Sequence, residues 1–551
     1  MNQQWYQNFN PLGNTVLSTM AAAIPVCTLF YLLAVRRAPA WRAALYAFLA
    51  AVAIALAVFR MPPVLVAGAV ADGLVFGLIR IAWMVVGGVF VYDLSVASGQ
   101  FEIIKQSIAG ISGDRRLQVL LIAFAFGGLL EGAGGGGAPV AVTGAMMVGL
   151  GFPPFQTAIM CLIANSAPVA FGGLGNPVRT LVAVTGLPEA DFSAMLGRIL
   201  PLTKLVLPFW IIRIMATTGE TFAVWPALLV CGLASGLIQF FWANYMNASL
   251  VDVMSGLGTL VVLAIFFGKF WHPRTIWRYG GESAAATRQS MPPIGFGRLL
   301  RAWSPFLLLA AFVVVWGVPD VARILDKTSW KPPVPGLHLR VVRVPPVAPT
   351  PYAEPALFDI SWLGNPGTAT VIGGFVAGPL IGLSLLQTAG IFWQTLRRLG
   401  LSLVAIMAMI GIGYITRYCG MDATLGMALS HTGALFPLFG TMIGWIGVAL
   451  SGTDAGSNAL FASLQVITAN RLHLSPILMG AANSAGGVMG KMISAQSLVI
   501  GCAATNLQGQ EGALFRKVFK HSVLLTLLVG LLVLMYAYVF PGAIPSGHHY
   551  W

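Results

Sequence analysis

Residues 127–144 read GGLLEGAGGGGAPVAVTG, with a single carboxylate, Glu131, beside five glycines and a proline inside an otherwise apolar stretch. In lipid, backbone groups freed by Gly and Pro must be satisfied by protein or by a water-filled cavity. The stretch therefore cannot be an ordinary lipid-facing helix. It predicts a discontinuous helix or a re-entrant hairpin, with Glu131 turned toward a polar interior.

The rest of the chain agrees with that solvent. Of its 551 residues 57% are hydrophobic and only 9% charged, and the mean hydropathy is +0.83. Apolar runs such as TVLSTMAAAIPVCTLFYLLAV, ALYAFLAAVAIALAVF, VWPALLVCGLASGLIQFFW and SVLLTLLVGLLVLMYAYVF approach the roughly 20 residues needed to cross a bilayer core. The fold class is an all-α polytopic membrane protein with about 12 to 14 transmembrane helices, some of them broken. No polar region is long enough to be a soluble domain. The net charge of +14 would suggest nucleic acid in a soluble chain, but the basic residues cluster in short loops beside apolar runs, as positive-inside topology requires. The five cysteines lie far apart, with no CxxC pair and no metal-like spacing to His. Neither a disulfide framework nor a metal site is expected, and no cofactor motif is present.

Charge placement orders the crossings. Arg36, Arg37 and Arg42 follow the first apolar run, so the N-terminus is expected outside. Lys105, Arg115 and Arg116 mark a second internal loop. The basic stretch 269–301 is a cytoplasmic linker that separates a first transmembrane repeat, 1–268, from a second, 302–545. The Pro-rich segment 319–361, which mixes Asp320, Asp326, Glu354 and Asp359 with basic residues, is expected outside. Two halves entering from opposite sides with odd numbers of crossings have the topology of an inverted repeat, the architecture that places a transport site near the bilayer midplane.

Self-similarity points the same way. LLEGAGGGGAPVAV precedes CLIANSAPVAFGGLGNPV in the first half; ALSGTDAGSNALFA precedes MGAANSAGGVMGKMISAQSL in the second, and the tetrapeptide ANSA recurs at 164–167 and 482–485. Each half carries one Gly-rich device. Half-helix N-termini at such breaks suit an anionic group. The glycines Gly134, Gly135, Gly136 and Gly137 would offer backbone NH groups. Asn165, Ser166, Asn176, Thr453, Ser457, Asn458, Asn483, Ser484, Ser494 and Gln496 could orient a hydroxylated carboxylate or ligate a cation.

Three ionisable residues sit inside these segments: Glu131, Asp454 and Lys491. A charge at the bilayer centre costs roughly 2.5 to 3.5 kcal/mol on insertion scales, so each needs a cavity or a partner. Lys491 is the candidate anchor for a substrate carboxylate. Glu131 and Asp454 are candidates for carrying a proton, and His431 is a third because its ordinary pKa lies near the working range. Arg179 is a secondary anion contact. Blander readings stand beside these. Lys491 could neutralise Asp454 as a structural pair, Glu131 could cap a broken helix through the NH groups of Gly134–Gly137, and the glycines could serve helix packing. Arg80, Arg213 and Arg417 are read as snorkelling at the ends of spans.

These residues carry a resemblance. FGGLLEGAGGGGAPVAV, NSAPVAFGGLGNP, LSGTDAGSNALFA and GGVMGKMISAQSL, with NFNPLGN and GQFEIIKQSI, resemble the L-lactate permease family of bacterial inner-membrane symporters, in order and at near-constant spacing to about residue 540. The resemblance implies proton-coupled uptake of L-lactate, with D-lactate and glycolate accepted to some degree. It implicates Glu131, Gly132, Gly137, Pro139, Asn165, Asp454, Asn458, Asn483, Lys491, Ser494 and Gln496. This chain departs from the family pattern at Gly134, Gly136, Asn176, Ala455, Gly456 and Ala495, which implies a roomier pocket and makes a short 2-hydroxy monocarboxylate the expected substrate class. The partners implied are that substrate, protons and the lipid bilayer of the bacterial inner membrane, with a homodimer as an option. The rival readings are a sodium-coupled carrier of other carboxylates and a membrane-embedded enzyme using Glu131 or His431 as a base. No nucleophile with a neighbouring base supports the enzyme.

Overall fold

The computed structural model describes residues 4–32, 36, 38–135, 138–279, 295–345, 347 and 350–547. Nine helices among them are long and apolar enough to cross a membrane, or up to eleven if each of two bent pairs is one span. The count lies below the number of apolar runs because several runs form shorter helices, among them Thr15–Phe30 and Trp41–Ala57. Leucines and valines such as Leu237, Leu531 and Val261 are exposed along the spans, while small residues occupy the helix contacts. A Cβ on Gly444 would lie 1.9 Å from Asn483 O, and one on Gly486 would lie 2.0 Å from Thr441 O, so the helices Phe436–Ser451 and Pro476–Gly490 meet backbone to backbone. Glycine permits this approach, as it does wherever membrane helices must pack without a hydrophobic driving force.

The Gly-rich segments interrupt helices in the same order in both halves. In the first, Arg115–Ala133 ends before the glycines and Ala138–Gly149 follows. The Arg115 guanidinium lies 5.0 Å from the Phe152 ring centre, so the chain returns to the side it left: the pair is a hairpin. In the second, Phe436–Ser451 breaks at Gly452 and Thr453, and Asp454–Arg471 runs back, with Gln465 Nε2 donating to Gly440 O at 2.7 Å. A bent helix follows each hairpin, Pro154–Asn165 with Val169–Thr185 at 55° and Pro476–Ile493 with Gln496–Ala504 at 43°. Both bends begin with one 3-10 turn, Val169–Phe171 or Lys491–Ile493, and leave it in extended backbone, φ −61° and ψ 154° at Gly172, φ −64° and ψ 142° at Ser494. A long helix closes each series, Glu189–Met215 and Glu511–Tyr538.

The division at 269–301 is one of chain order, not of packing. One hydrophobic core joins Leu117–Ala133, Ala158–Val184 and Leu196–Ile212 to Ile477–Cys502 and Leu514–Val533; the other joins Ala43–Ala69 to Ala408–Met421 and Leu460–Leu464. Both draw on both halves. At one end a small sheet pairs the N-terminal strand Trp5–Tyr6 with Val341–Arg343 in parallel and the latter with Tyr352–Ala353 in antiparallel register. The N-terminus and the Pro-rich segment therefore lie on one side of the molecule.

Candidate functional site

A cavity of about 500 Å³ opens at the seam between the two cores. One wall is built from the breaks: Glu131, Gly134, Gly135, Gly172, Gly173, Asn176, Ser451, Thr453, Asp454, Lys491 and Gln496. The opposite wall is apolar, from Ile81, Val85 and Val89 and from Ala405, Ile406, Met409 and Ile410. Trp41, Arg398 and Ser402 line its far reach, where the Arg398 side chain is 60% exposed and paired with Asp93 at 2.7 Å.

The three intramembrane charges meet here. Lys491 is buried and donates from Nζ to Gly452 O at 2.7 Å, a carbonyl left over where Phe436–Ser451 ends. The last carbonyls of a helix carry partial negative charge, so an ammonium is well placed there. Lys491 has no ion pair within 4.0 Å among the described residues. The direct pair with Asp454 considered above does not form, and the ammonium lies within electrostatic range of both Glu131 and Asp454. Asp454 opens its helix, accepts from Ser484 Oγ and leaves Oδ1 without a hydrogen-bond partner. Glu131 is likewise buried with Oε2 unpartnered.

The other predicted residues sort into two groups. Asn176 and Gln496 line the cavity, Asn176 with a buried, unpartnered Oδ1. Asn165 is buried beside the Glu131 carboxylate. Asn458 and Asn483 instead bond one another at 2.9 Å, and Asn458 donates to Pro177 O at 3.1 Å, which ties the two devices together behind the wall. Ser494 caps the helix Ala495–Ala504 through Ser497 N at 3.2 Å, and Ser166 donates to Ile163 O at 2.6 Å. Gly134 and Gly135 line the cavity, but their NH groups are spent closing the preceding helix on Leu130 O and Glu131 O, both at 3.0 Å. The expectation that they cap Glu131 or bind an anion is thereby corrected: this helix presents its C-terminal end, not its N-terminal one. Gly136 and Gly137 lie outside the described residues.

Two predicted residues stand apart. His431 is exposed in the turn Ser430–Leu435, away from the cavity wall. Arg179 donates to Ser249 Oγ at 2.8 Å and lies 3.8 Å from Glu189, beyond the cavity. Arg417 is not snorkelling. It pairs with Glu354 at 3.2 Å, Glu354 pairs with Arg343 at 2.7 Å, and Arg80 meets Asp359 at 3.4 Å, so the Pro-rich segment is bolted to the spans.

Sequence reasoning missed the backbone of 173–175. Gly173, Leu174 and Gly175 have φ of 54°, 62° and 79°, a left-handed turn in which Leu174 alone carries a Cβ and costs of order 1–2 kcal/mol. The glycines of GGLGNP were its signal. It missed a buried pair as well, Lys204 and Asp252, 3.0 Å apart, although each is a lone charge in an apolar run. No group of three or more His, Cys, Asp or Glu that could hold a metal ion occurs among the described residues.

Hairpins and bent helices enclosing a charged cavity define a multi-pass helical membrane carrier. The chain belongs to the L-lactate permease family, whose family model matches residues 18–540. It is 39% identical to the L-lactate permease of Bacillus subtilis (strain 168) and 40% identical to the glycolate permease GlcA of Escherichia coli (strain K12), each over 98% of this chain and 100% of the relative. It is also 40% identical to the L-lactate permease of Salmonella typhimurium over the same shares. Among solved structures, the Alcanivorax borkumensis YdaH transporter superposes with a TM-score of 0.44 at 14% identity, over 86% of this chain and 88% of that one.

Proposed function

We propose that this protein takes up L-lactate, glycolate and related short 2-hydroxy monocarboxylates across the bacterial inner membrane, each with a proton. The observation that carries the reading is the cavity itself, where one buried ammonium and two buried carboxylates with unpartnered oxygens face a single apolar wall. Lys491 spends one of its three donors on Gly452 O; the other two suit the substrate carboxylate. Asn176 and Gln496 read the 2-hydroxyl. Glu131 or Asp454 takes the proton, which removes one charge before the loaded site passes the apolar barrier.

One proton with one monoanion is electroneutral, so a pH gradient alone can drive uptake. Four positions that depart from the family pattern, Gly134, Asn176, Ala455 and Gly456, line the cavity, which favours a substrate range beyond lactate.

Sidedness follows from charge. The cavity reaches the exposed Arg398 and, at Trp41, the loop that carries Arg36 and Arg42, which charge placement puts inside. On the opposite side the ion pairs of Glu354 and Asp359 hold the Pro-rich segment against the spans. We read this as an inward-facing state of an inverted-repeat carrier, in which movement along the seam between the two cores exchanges access. The test is uptake of labelled L-lactate and glycolate into proteoliposomes under an imposed proton or sodium gradient. Accumulation under the proton gradient alone supports the reading; accumulation under sodium alone overturns it.

A further inference from the structure

The cavity accounts for Glu131, Asp454 and Lys491 but gives no use to a second set of buried charges. Lys204, in Glu189–Met215, and Asp252, at the start of Val251–Phe270, are both buried, with Nζ 3.0 Å from Oδ1. The ammonium also donates to Ser255 Oγ at 3.2 Å, which lies 3.0 Å from Ser235 Oγ. Lys204 thus satisfies Asp252 Oδ1 and the serines hold the ammonium, while Asp252 Oδ2 has no hydrogen-bond partner. Glu131 Oε2 is in the same condition. Buried polar atoms are nearly always paired, so two orphaned carboxylate oxygens in one region call for an explanation.

They border one joint. A Cβ on Gly132 would lie 2.7 Å from Asp252 C and 2.5 Å from Val253 N, so the helix end that carries Glu131 rests on the backbone of Asp252. Glu131 Oε1 lies 2.9 Å from where a Cβ on Gly172 would be, and the Asp252 carboxylate approaches the backbone of Phe171. Two carboxylates thus flank the Phe171–Gly172 break, one lining the cavity and the other sealed behind it. The groups that face them are Lys491, Asn165 and Asp252 itself for Glu131, and Lys204 and the Phe171 backbone for Asp252.

We propose that Asp252, held in place by Lys204, is part of the proton-coupling site and shares the coupling proton with Glu131 across the Phe171–Gly172 joint. In the transfer an O–H bond at Glu131 Oε2 breaks and one at Asp252 Oδ2 forms. The negative charge passes to Glu131, Lys204 stays an ammonium, and the reverse transfer restores the pair. A proton parked at Asp252 leaves the cavity free to release the substrate anion before the proton departs. Asp252 and Lys204 are positioning and relay residues, since neither lines the cavity.

This inference rests on the proton-symport reading, and its test separates the two. Wild-type protein and the double variant Lys204→Met, Asp252→Asn are compared in proteoliposomes by two readouts: accumulation of labelled L-lactate driven by an inward proton gradient, and L-lactate counterflow at equal pH, which needs no net proton movement. The double variant removes both charges together and so avoids stranding an unpaired ammonium. The expected result is counterflow within about threefold of wild type with accumulation lowered at least about tenfold. Accumulation and counterflow that stay at wild-type levels, or that fall in equal proportion, overturn the proposal. Should the double variant not fold, Asp252→Glu keeps the charge and moves the carboxylate by one methylene; it is expected to lower accumulation relative to counterflow, and an unchanged ratio overturns the proposal. Wild-type protein that accumulates lactate with sodium and not with protons sinks the symport reading instead.

Discussion

Lys491 is the residue whose setting most changed between chain and structure. A lysine four residues beyond a Gly-Gly pair is legible as an intramembrane charge, but its neighbour is the Gly452 carbonyl, 39 positions away. A helix end supplies the counter-dipole that, in the alternative reading, Asp454 would have supplied as a charge. Removing the ammonium by Lys491→Ala deletes two charge-assisted bonds to the substrate, so uptake at low substrate is expected to fall about 10- to 100-fold; initial rates in reconstituted vesicles check this, and undiminished uptake in a folded variant refutes the anchor. Glu131→Gln keeps the shape of the side chain and fixes it uncharged. Proton-driven accumulation is expected to be lost while lactate counterflow persists, and a variant that still accumulates lactate against its gradient removes Glu131 from coupling. His431, attractive in the chain because imidazole titrates in the right range, is exposed and lies outside the cavity.

At the scale of elements, the breaks decide the site. The Gly-rich runs were readable as interruptions because lipid forbids unsatisfied backbone. Which end of each half-helix faces the cavity was not readable, since that depends on where the helix stops. Gly134 and Gly135 continue the hydrogen bonding of Arg115–Ala133 by two residues, and this small extension takes up two NH groups expected to be free for an anion, whereas at the second break the start of Asp454–Arg471 does line the cavity. The packing of Phe436–Ser451 on Pro476–Gly490 depends on the absence of a side chain at Gly444, where a Cβ would sit 1.9 Å from a backbone oxygen. Gly444→Val must separate the hairpin from the bent helix that carries Lys491. Its expected cost is about 1–3 kcal/mol or more from overpacking, seen as a lowered thermal midpoint in detergent; wild-type stability would show that the two helices can slide apart without loss.

At the scale of the molecule, the cavity lies between two cores that each mix early and late segments of the chain. Its apolar wall, Ala405 to Ile410, belongs to Leu385–Cys419, a helix with no ionisable residue at those positions and nothing in its sequence to mark a substrate path. Ser402 on that wall gives a direct reading of access. A Ser402→Cys variant, made in a background with Cys27 replaced because Cys27 is exposed, is expected to react with a membrane-impermeant thiol reagent from the cytoplasmic face and to be protected by lactate. Labelling from the outer face alone would reverse the assigned orientation of the cavity.

The solvent, the helical class, the positions of the breaks and three of the charges were determined by the sequence alone, because burying a bare backbone group or a charge in lipid is costly enough to leave a mark in composition at the residue concerned. The partners of those charges were decided only by the tertiary structure. Asp252 and Lys204 sit 48 positions apart, and Arg417 and Glu354 sit 63 apart; electrostatic pairing acts over a few ångströms in space and carries no trace of separation along the chain. The same holds for Asn458 and Asn483, read as substrate contacts and found joined behind the wall, since an amide is equally suited to a ligand or to another amide until packing chooses its neighbour.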